Sequence, residues 1–325
     1  MLKIGNVEIK GYPVLLAPME DITDPSFRYM CKKFGADIVY SEFVAAEAVR
    51  RNVDKTLRKM TIFDYERPAA IQIYGHEIEP MAEAAQIVAQ WNPDFIDINY
   101  GCPMKKIAMR GAGAGMLRDI PKMVEMTRAI VKASPLPVTA KTRLGWDFDS
   151  IVIEEVAERL QDEGIQALTI HARTRSQIYS GTADWSWIGK VKNNPKIKIP
   201  IIGNGDITSP QKAKEAFDLY GVDAIMIGRG AIGRPYIFRE VKHYLETGEI
   251  LPEPTVQEKV EMAKEHFIKS VEWKGLPRGV FEMRKHLILY FKGLPKFKDY
   301  KLKLVTETEP ENILKLLDEI AEVYS

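Results

Sequence analysis

Eight short apolar, β-rich runs recur along the chain, and this recurrence restricts the fold more than any other feature of the sequence. The runs are VLLA (14–17), DIVYSE (37–42), AAIQIYG (69–75), DFIDINYG (94–101), PVTAKTR (137–143), ALTIHAR (167–173), PIIGNGD (200–206) and DAIMIGRG (223–230). Each is followed by a polar turn and a stretch of helical period, among them EPMAEAAQIVAQW, IPKMVEMTRAIVKA, SIVIEEVAERLQDEG and SPQKAKEAFDLYG. Near-continuous apolar strands alternating with amphipathic helices imply a parallel sheet covered on both faces. Eight such units favour closure into a (β/α)8 TIM barrel, with a doubly wound open sheet as the alternative.

After Pro252 and Pro254 the strand signals stop. TVQEKVEMAKEHFIKSVEWKG, GVFEMRKHLILYFKG and EPENILKLLDEIAEVY all carry helical period. The 325 residues therefore divide into a barrel over residues 1–250 and a helical domain over 251–325. Hydrophobic residues make up 46% of the chain, yet no apolar run approaches the ~20 residues of a membrane span, so a soluble protein is expected. The start MLKIGNVEIKGYP lacks the apolar stretch and cleavage site of a secretory signal and reads as mature sequence. Only Cys31 and Cys102 are present, which argues against a disulfide framework and fits a reducing cytoplasm.

A net charge of +1 says nothing about a polyanionic partner, but its distribution does. Residues 274–303 hold nine Lys or Arg against Glu282 and Asp299, a segment of +7 interleaved with aromatics, whereas residues 304–325 hold six acids against Lys315. Such blocks are often no more than solvated faces. Here Arg284 and Lys285 are candidates for phosphate contacts.

In a barrel the chemistry belongs at the carboxyl ends of the strands. These ends are Ala17-Pro18-Met19, Ser41-Glu42, Gln72, Asn99 through Cys102, Lys141 with Arg143, His171 with Arg173, Asn204-Gly205-Asp206, and Gly228-Arg229. Polar groups converging from eight strands describe a lined pocket. The GNGDI and GRGAIG turns suit a phosphate between the last two loops. Gly228, Gly230 and Gly233 match GxGxxG but follow the final strand with no further βαβ unit, so a mononucleotide is favoured over a dinucleotide. Gly111, Gly113 and Gly115 miss that spacing and read as a flexible loop.

Lys141 and Arg143 are two apart on a strand and project to one face. They either pair internally with Asp97 or Glu42, or meet an anionic or electron-rich ligand. Cys102 sits in NYGCP at a strand end near Lys105, Lys106 and Arg110. An ordinary thiol, with a pKa of about 8.5, is mostly protonated near neutrality and could donate a proton, the alternative being an inert buried cysteine, as read for Cys31. His171 could bond a cofactor carbonyl or phosphate, or be a satisfied structural residue. The five histidines show no metal spacing, and no metal is expected.

Taken together, LLAPMEDITDPSFR, QIYG, DINYGCPMKKI, KTRLGW, ALTIHARTR, IIGNGDI, MIGRGAIGRPYIFRE and RKHLILYFKG make the chain resemble the tRNA-dihydrouridine synthase family, particularly its bacterial B-type subgroup. The resemblance implies FMN contacted by Pro18, Met19, Gln72, Lys141, His171, Asn204, Gly205, Asp206, Gly228 and Arg229, and reduced by NADPH or NADH. It further implies hydride transfer to carbon 6 of a uracil while Cys102 protonates carbon 5. Asn99, Arg143 and Arg173 would hold the base or its phosphate, and the loop carrying Cys102, Lys105, Lys106 and Arg110 would close over it. The implied partner is tRNA, its target base turned out of the stack. No obligate protein partner is implied and a monomer suffices. The rival readings are a flavin-dependent dehydrogenase of free dihydropyrimidines or dihydroorotate, and a non-catalytic RNA- or metabolite-binding barrel.

Overall fold

The computed structural model describes residues 1–324, so Ser325, the last residue of the expected helical domain, lies outside the described residues. A short antiparallel hairpin, β1 (Leu2–Ile4) and β2 (Val7–Ile9), precedes the barrel. Then come β3 (Val14–Leu16), β4 (Val39–Tyr40), β5 (Val44–Ala45), β6 (Ala69–Tyr74), β7 (Phe95–Tyr100), β8 (Val138–Arg143), β9 (Leu168–His171), β10 (Ile201–Asn204) and β11 (Ala224–Ile227). All pairings within this sheet are parallel, in the order β3-β11-β10-β9-β8-β7-β6-β4, and the two-residue β5 pairs with the end of β6. The ring closes where Leu15 bridges Ile38 and the Leu16 N–H donates to the Ile38 carbonyl at 2.9 Å. This excludes the open doubly wound sheet. The strand runs read from the sequence contain all eight ring strands; the hairpin and β5 were not among them.

Strand alternation sorts the residues into two sets. Outward-facing Leu16, Val39, Ile71, Ile73, Ile96 and Ile98 join the main apolar core with the surrounding helices. Inward-facing residues form layers along the barrel axis. At the bottom, Leu15, Ile38, Tyr40, Ala70, Phe95 and Met226 pack with Leu2 and Ile4 of the hairpin, which plug that end. Above them lie the buried polar side chains Gln72, Asp97, Thr139 and Thr169, and at the top Asn99, Lys141, Arg143, His171 and Asn204. An apolar floor and a polar roof leave one end of the barrel able to hold a ligand.

Beyond β11 the chain is helical, with helices at Ile237–Thr247, Val256–Lys274, Arg278–Tyr290, Lys298–Thr306 and Pro310–Val323. Met30, Tyr236, Phe267, Leu287, Leu304 and Leu317 belong to a second apolar cluster, which joins these helices to the first barrel helix, Pro25–Lys33. Asp24 caps that helix, accepting from the Ser26 and Phe27 N–H groups, and pairs with Lys274 at 2.5 Å. Among the described residues no helix is long and apolar enough to cross a membrane.

Candidate active site

One cavity of about 1210 Å³ opens over the carboxyl ends of the strands and extends to Leu289, Tyr290 and Lys292 of the helical segment. Strand register sets its floor. Gln72 is level with Asp97, Asn99 with Lys141, and His171 with both Arg143 and Asn204. The expected cofactor contacts Pro18, Met19, Gln72, Lys141, His171, Asn204, Gly205, Asp206, Gly228 and Arg229 all line this cavity, as do Cys102, Asn99 and Arg143.

A chain of hydrogen bonds runs up the wall. Thr139 Oγ1 and Gln72 Nε2 each donate to the Asp97 carboxylate at 2.6 Å, and Asn99 Nδ2 donates to Gln72 Oε1 at 2.8 Å. Asn99 Oδ1 then accepts the N–H groups of Gly101 at 3.0 Å and Cys102 at 2.9 Å. An ionised carboxylate only accepts and a backbone N–H only donates, so the two ends of the chain fix which way both amides face. Burial pushes the Asp97 carboxyl up to about 6, against its bonds from Thr139 and Gln72.

The wall is strongly cationic. Lys141 and Arg143 make no ion pair with Asp97 or Glu42: the Lys141 ammonium donates to Asn204 Oδ1 at 3.2 Å, and Arg143 donates to the carbonyls of Gly101, Thr174 and Ile178 at 2.8 to 2.9 Å. The internal-pair alternative is thereby excluded. Burial, then the charge of Arg143, lowers Lys141 to about 8. Arg173 lies beneath the wall rather than on it, paired with Asp206 at 2.7 Å, and Asp206 also faces Arg229 at 3.6 Å. Burial opposes ionisation of Asp206, but the Arg173 bond, the Ala183 N–H and the two guanidinium charges hold it below the usual carboxylate range. His171 is buried among Arg143, Lys141, Arg173 and Arg229; desolvation first and those charges second keep it neutral.

Cys102 is 7% exposed at the cavity edge. Burial pushes its thiol up, an effect that the Met104 N–H and the charges of Arg143 and Lys141 oppose. Behind it stands the glycine string read as a flexible loop, and here the structure corrects the expectation. Residues Gly113–Arg118 form a buried 3-10 turn, and the Ala114 N–H donates to the Cys102 carbonyl at 3.1 Å. A side chain at Gly113 would meet Cys102 at 3.0 Å in a left-handed backbone of φ +53°, and one at Gly115 would come within 2.2 Å of the Ala108 carbonyl. These glycines allow close approach rather than motion.

The Dihydrouridine synthase (Dus) family model matches residues 15–323. The chain belongs to this family. A probable tRNA-dihydrouridine synthase of Rickettsia prowazekii is 38% identical over 325 residues, covering 100% of this chain and 98% of that protein. The tRNA-dihydrouridine synthase B of Xanthomonas campestris is 41% identical over 303 residues, 93% of this chain and 91% of that one. Among solved structures, 6-hydroxypseudooxynicotine amine oxidase from Pseudomonas geniculata superposes with a TM-score of 0.58 at 12% identity, covering 82% of this chain and 52% of the other, a likeness of fold.

Four of the expected substrate contacts in this Dus chain lie off the cavity wall. Lys105 is exposed at the start of the short helix Lys105–Ala108, and Arg173 is committed to Asp206 and to the carbonyls of Ser180 and Gly181. The Arg284 guanidinium donates to the carbonyls of Thr306 and Glu307 at the end of the helix Lys298–Thr306, and Lys285 donates to the Asp21 carbonyl. Sequence reasoning missed Tyr179, which lines the cavity with the guanidinium carbons of Arg229 and Arg143 at 4.5 and 5.8 Å from its ring. The signal available was a lone aromatic in the polar segment RTRSQIYSG, just past a strand end.

Proposed function

We propose that this chain reduces the 5,6 double bond of uridines in tRNA to dihydrouridine, with FMN as cofactor, NADPH or NADH as reductant and Cys102 as proton donor. Family membership and the relatives named as tRNA-dihydrouridine synthases support the reaction. The observation that carries the chemistry is a cavity wall with a surplus of positive charge ending at a protonated thiol. Lys141, Arg143 and Arg229 line it and Arg173 lies beneath, with Asp206 the carboxylate paired with Arg173 and facing Arg229.

The residues fit FMN. An ammonium has three N–H donors, and Lys141 has one protein acceptor, Asn204 Oδ1, so donors remain at the wall. The Gly205 turn, with φ +131°, and the Gly228-Arg229-Gly230 turn bring backbone N–H groups and a guanidinium to the rim, which suits a phosphate. Pro18, Met19, Gln72, Lys141, His171, Asn204, Gly205, Asp206, Gly228 and Arg229 would hold the cofactor. The volume exceeds the range of about 300 to 1,000 Å³ usual for a single small ligand and leaves space for a base beside it. Bound there, FMN supplies reducing equivalents taken from NADPH.

This chain's own residues do the rest. Cys102 enters the reaction as a thiol because burial raises it; as its S–H bond breaks, a C–H bond forms at carbon 5 and a thiolate remains. Arg143 and Lys141 stabilise that thiolate. Asn99 holds the turn and Arg143 would orient the base, with Arg173 acting from beneath the wall through its pair with Asp206 and Lys105 reaching a phosphate from the exposed helix Lys105–Ala108. We assign catalysis to residues 1–250 and tRNA binding to residues 251–325, with Arg284 and Lys285 near the contact. Lys292, Lys296, Lys298 and Lys301 have no ion pair among the described residues and are open to phosphates. A soluble chain acting on tRNA would work in the cytoplasm.

The test is nucleoside mass spectrometry of unmodified tRNA incubated with the flavin-loaded protein and NADPH. Dihydrouridine should form in tRNA and not from free uridine. Equal reduction of free uridine would favour the free-pyrimidine dehydrogenase, and a protein that takes up no flavin would favour the non-catalytic barrel.

A further inference from the structure

Outside the cavity, two guanidiniums pack on one indole. The guanidinium carbons of Arg118 and Arg175 lie 4.4 and 4.5 Å from the Trp146 ring centroid, and none of the three residues lines the cavity. Arg118 ends the 3-10 turn behind Cys102, Trp146 follows β8, and Arg175 follows β9. Their loops are stitched together: the N–H groups of Arg175 and Ser176 donate to the carbonyls of Gly145 and Trp146, both at 2.9 Å. Gly145 also bridges to Ile151, so closely that a side chain there would fall 2.1 Å from the Ser150 carbonyl.

Two like charges on one ring repel, and a purely structural stack would need only one. Among the described residues neither guanidinium has a carboxylate partner or a side-chain hydrogen bond, and Arg175 Nε is buried without an acceptor. The nearby Asp147 does not serve, since its Oδ1 accepts from the Asp149 N–H and the Ser150 hydroxyl within its own turn. Phe148, two residues beyond Trp146, is 68% exposed, and Met104 and Met109 are exposed on either side of the helix Lys105–Ala108. Lys105, Lys106 and Arg110, which follow Cys102 in sequence, are exposed and have no ion pair among the described residues.

We propose that Arg118, Trp146 and Arg175 form a phosphodiester clamp for the RNA strand beside the reacting nucleotide. The indole holds two guanidinium forks in place, each with N–H edges matched to phosphate oxygens. The clamp lies on the loops of β7, β8 and β9, so substrate binding extends over the barrel rim as well as the helical segment. This inference rests on tRNA being the substrate.

The experiment is binding of an unmodified tRNA transcript to flavin-loaded protein across a range of NaCl concentrations. Removing one arginine–phosphate interaction should reduce the slope of log K against log salt by about 0.7 to 0.9, and should weaken binding about fivefold near 0.15 M salt. Arg118→Gln, at an exposed position, should show one such step. The pair with Arg175→Gln should show two, about 25-fold in all. Flavin content and the rate of flavin reduction by NADPH, neither of which involves RNA, should stay at the wild-type level. A wild-type slope and affinity in the double variant would overturn the clamp while leaving the tRNA reading intact. A wild-type protein that makes no dihydrouridine in tRNA would remove both.

Discussion

Asn99→Ala probes the link between the barrel interior and the turn that carries the Cys102 thiol. The side chain is 7% exposed and makes three hydrogen bonds: from the Gly101 and Cys102 N–H groups and to Gln72 Oε1, at 2.8 to 3.0 Å. Each bond contributes about 0.5 to 1.5 kcal/mol, and losing Asn99 leaves buried partners unsatisfied unless cavity water reaches them. The cost is therefore about 2 to 4 kcal/mol. With an unfolding entropy of about 2.1 cal/mol/K per residue, a chain of 325 residues has a total near 0.7 kcal/mol/K, so Tm should fall by about 3 to 6 °C. Differential scanning calorimetry of the flavin-free protein measures this. Stopped-flow kinetics should show flavin reduction by NADPH changed far less than the following reduction of tRNA, since the loosened turn carries Cys102. An unshifted Tm, or equal losses in both half-reactions, would refute the argument that Asn99 positions the thiol.

Two further outcomes follow from buried charge. Lys141 is lowered to about 8 in the folded chain against about 10.5 unfolded, so between those values the unfolded state binds more protons at this group and its contribution to flavin-free stability rises with pH, as does that of Lys32, also lowered to about 8 by burial; Lys141→Met should make the change in stability from pH 7 to 10 less positive than in the wild type, read from denaturation curves. His266 is lowered to about 3 and His286 well below its ordinary value, both chiefly by burial, so their stabilising contribution is lost as pH falls below about 6.5, by up to ~1.4 kcal/mol per pH unit each; His286→Phe should lose less stability than the wild type between pH 7 and 5.5.

The ring strands were legible because each is a near-continuous apolar run, the mark of a strand buried on both faces. The hairpin was not, since Leu2–Ile4 and Val7–Ile9 are three residues each and bury little beyond Leu2 and Ile4. Strand ends located the cavity wall because a parallel barrel leaves its polar side chains only one place to meet. Packing against distant backbone was invisible. Gly115 looks flexible in sequence and is held by the Ala108 carbonyl, and Gly145 is held by Ser150. The +7 segment looked like free charge, yet Lys274 pairs with Asp24, 250 positions away, and Arg278 with Glu282. Arg118, Trp146 and Arg175 come from three separate loops, and no local pattern announces their stack.

Reduced, flavin-loaded Cys102→Ala mixed with unmodified tRNA tests the central claim most directly. The rate of flavin reoxidation and the yield of dihydrouridine should both fall by roughly 100-fold or more against wild type, within the usual range of 10² to 10⁴ for a general acid, while flavin reduction by NADPH stays at the wild-type rate. Reoxidation by tRNA at the wild-type rate, with full dihydrouridine yield, would contradict the assignment of the proton to Cys102.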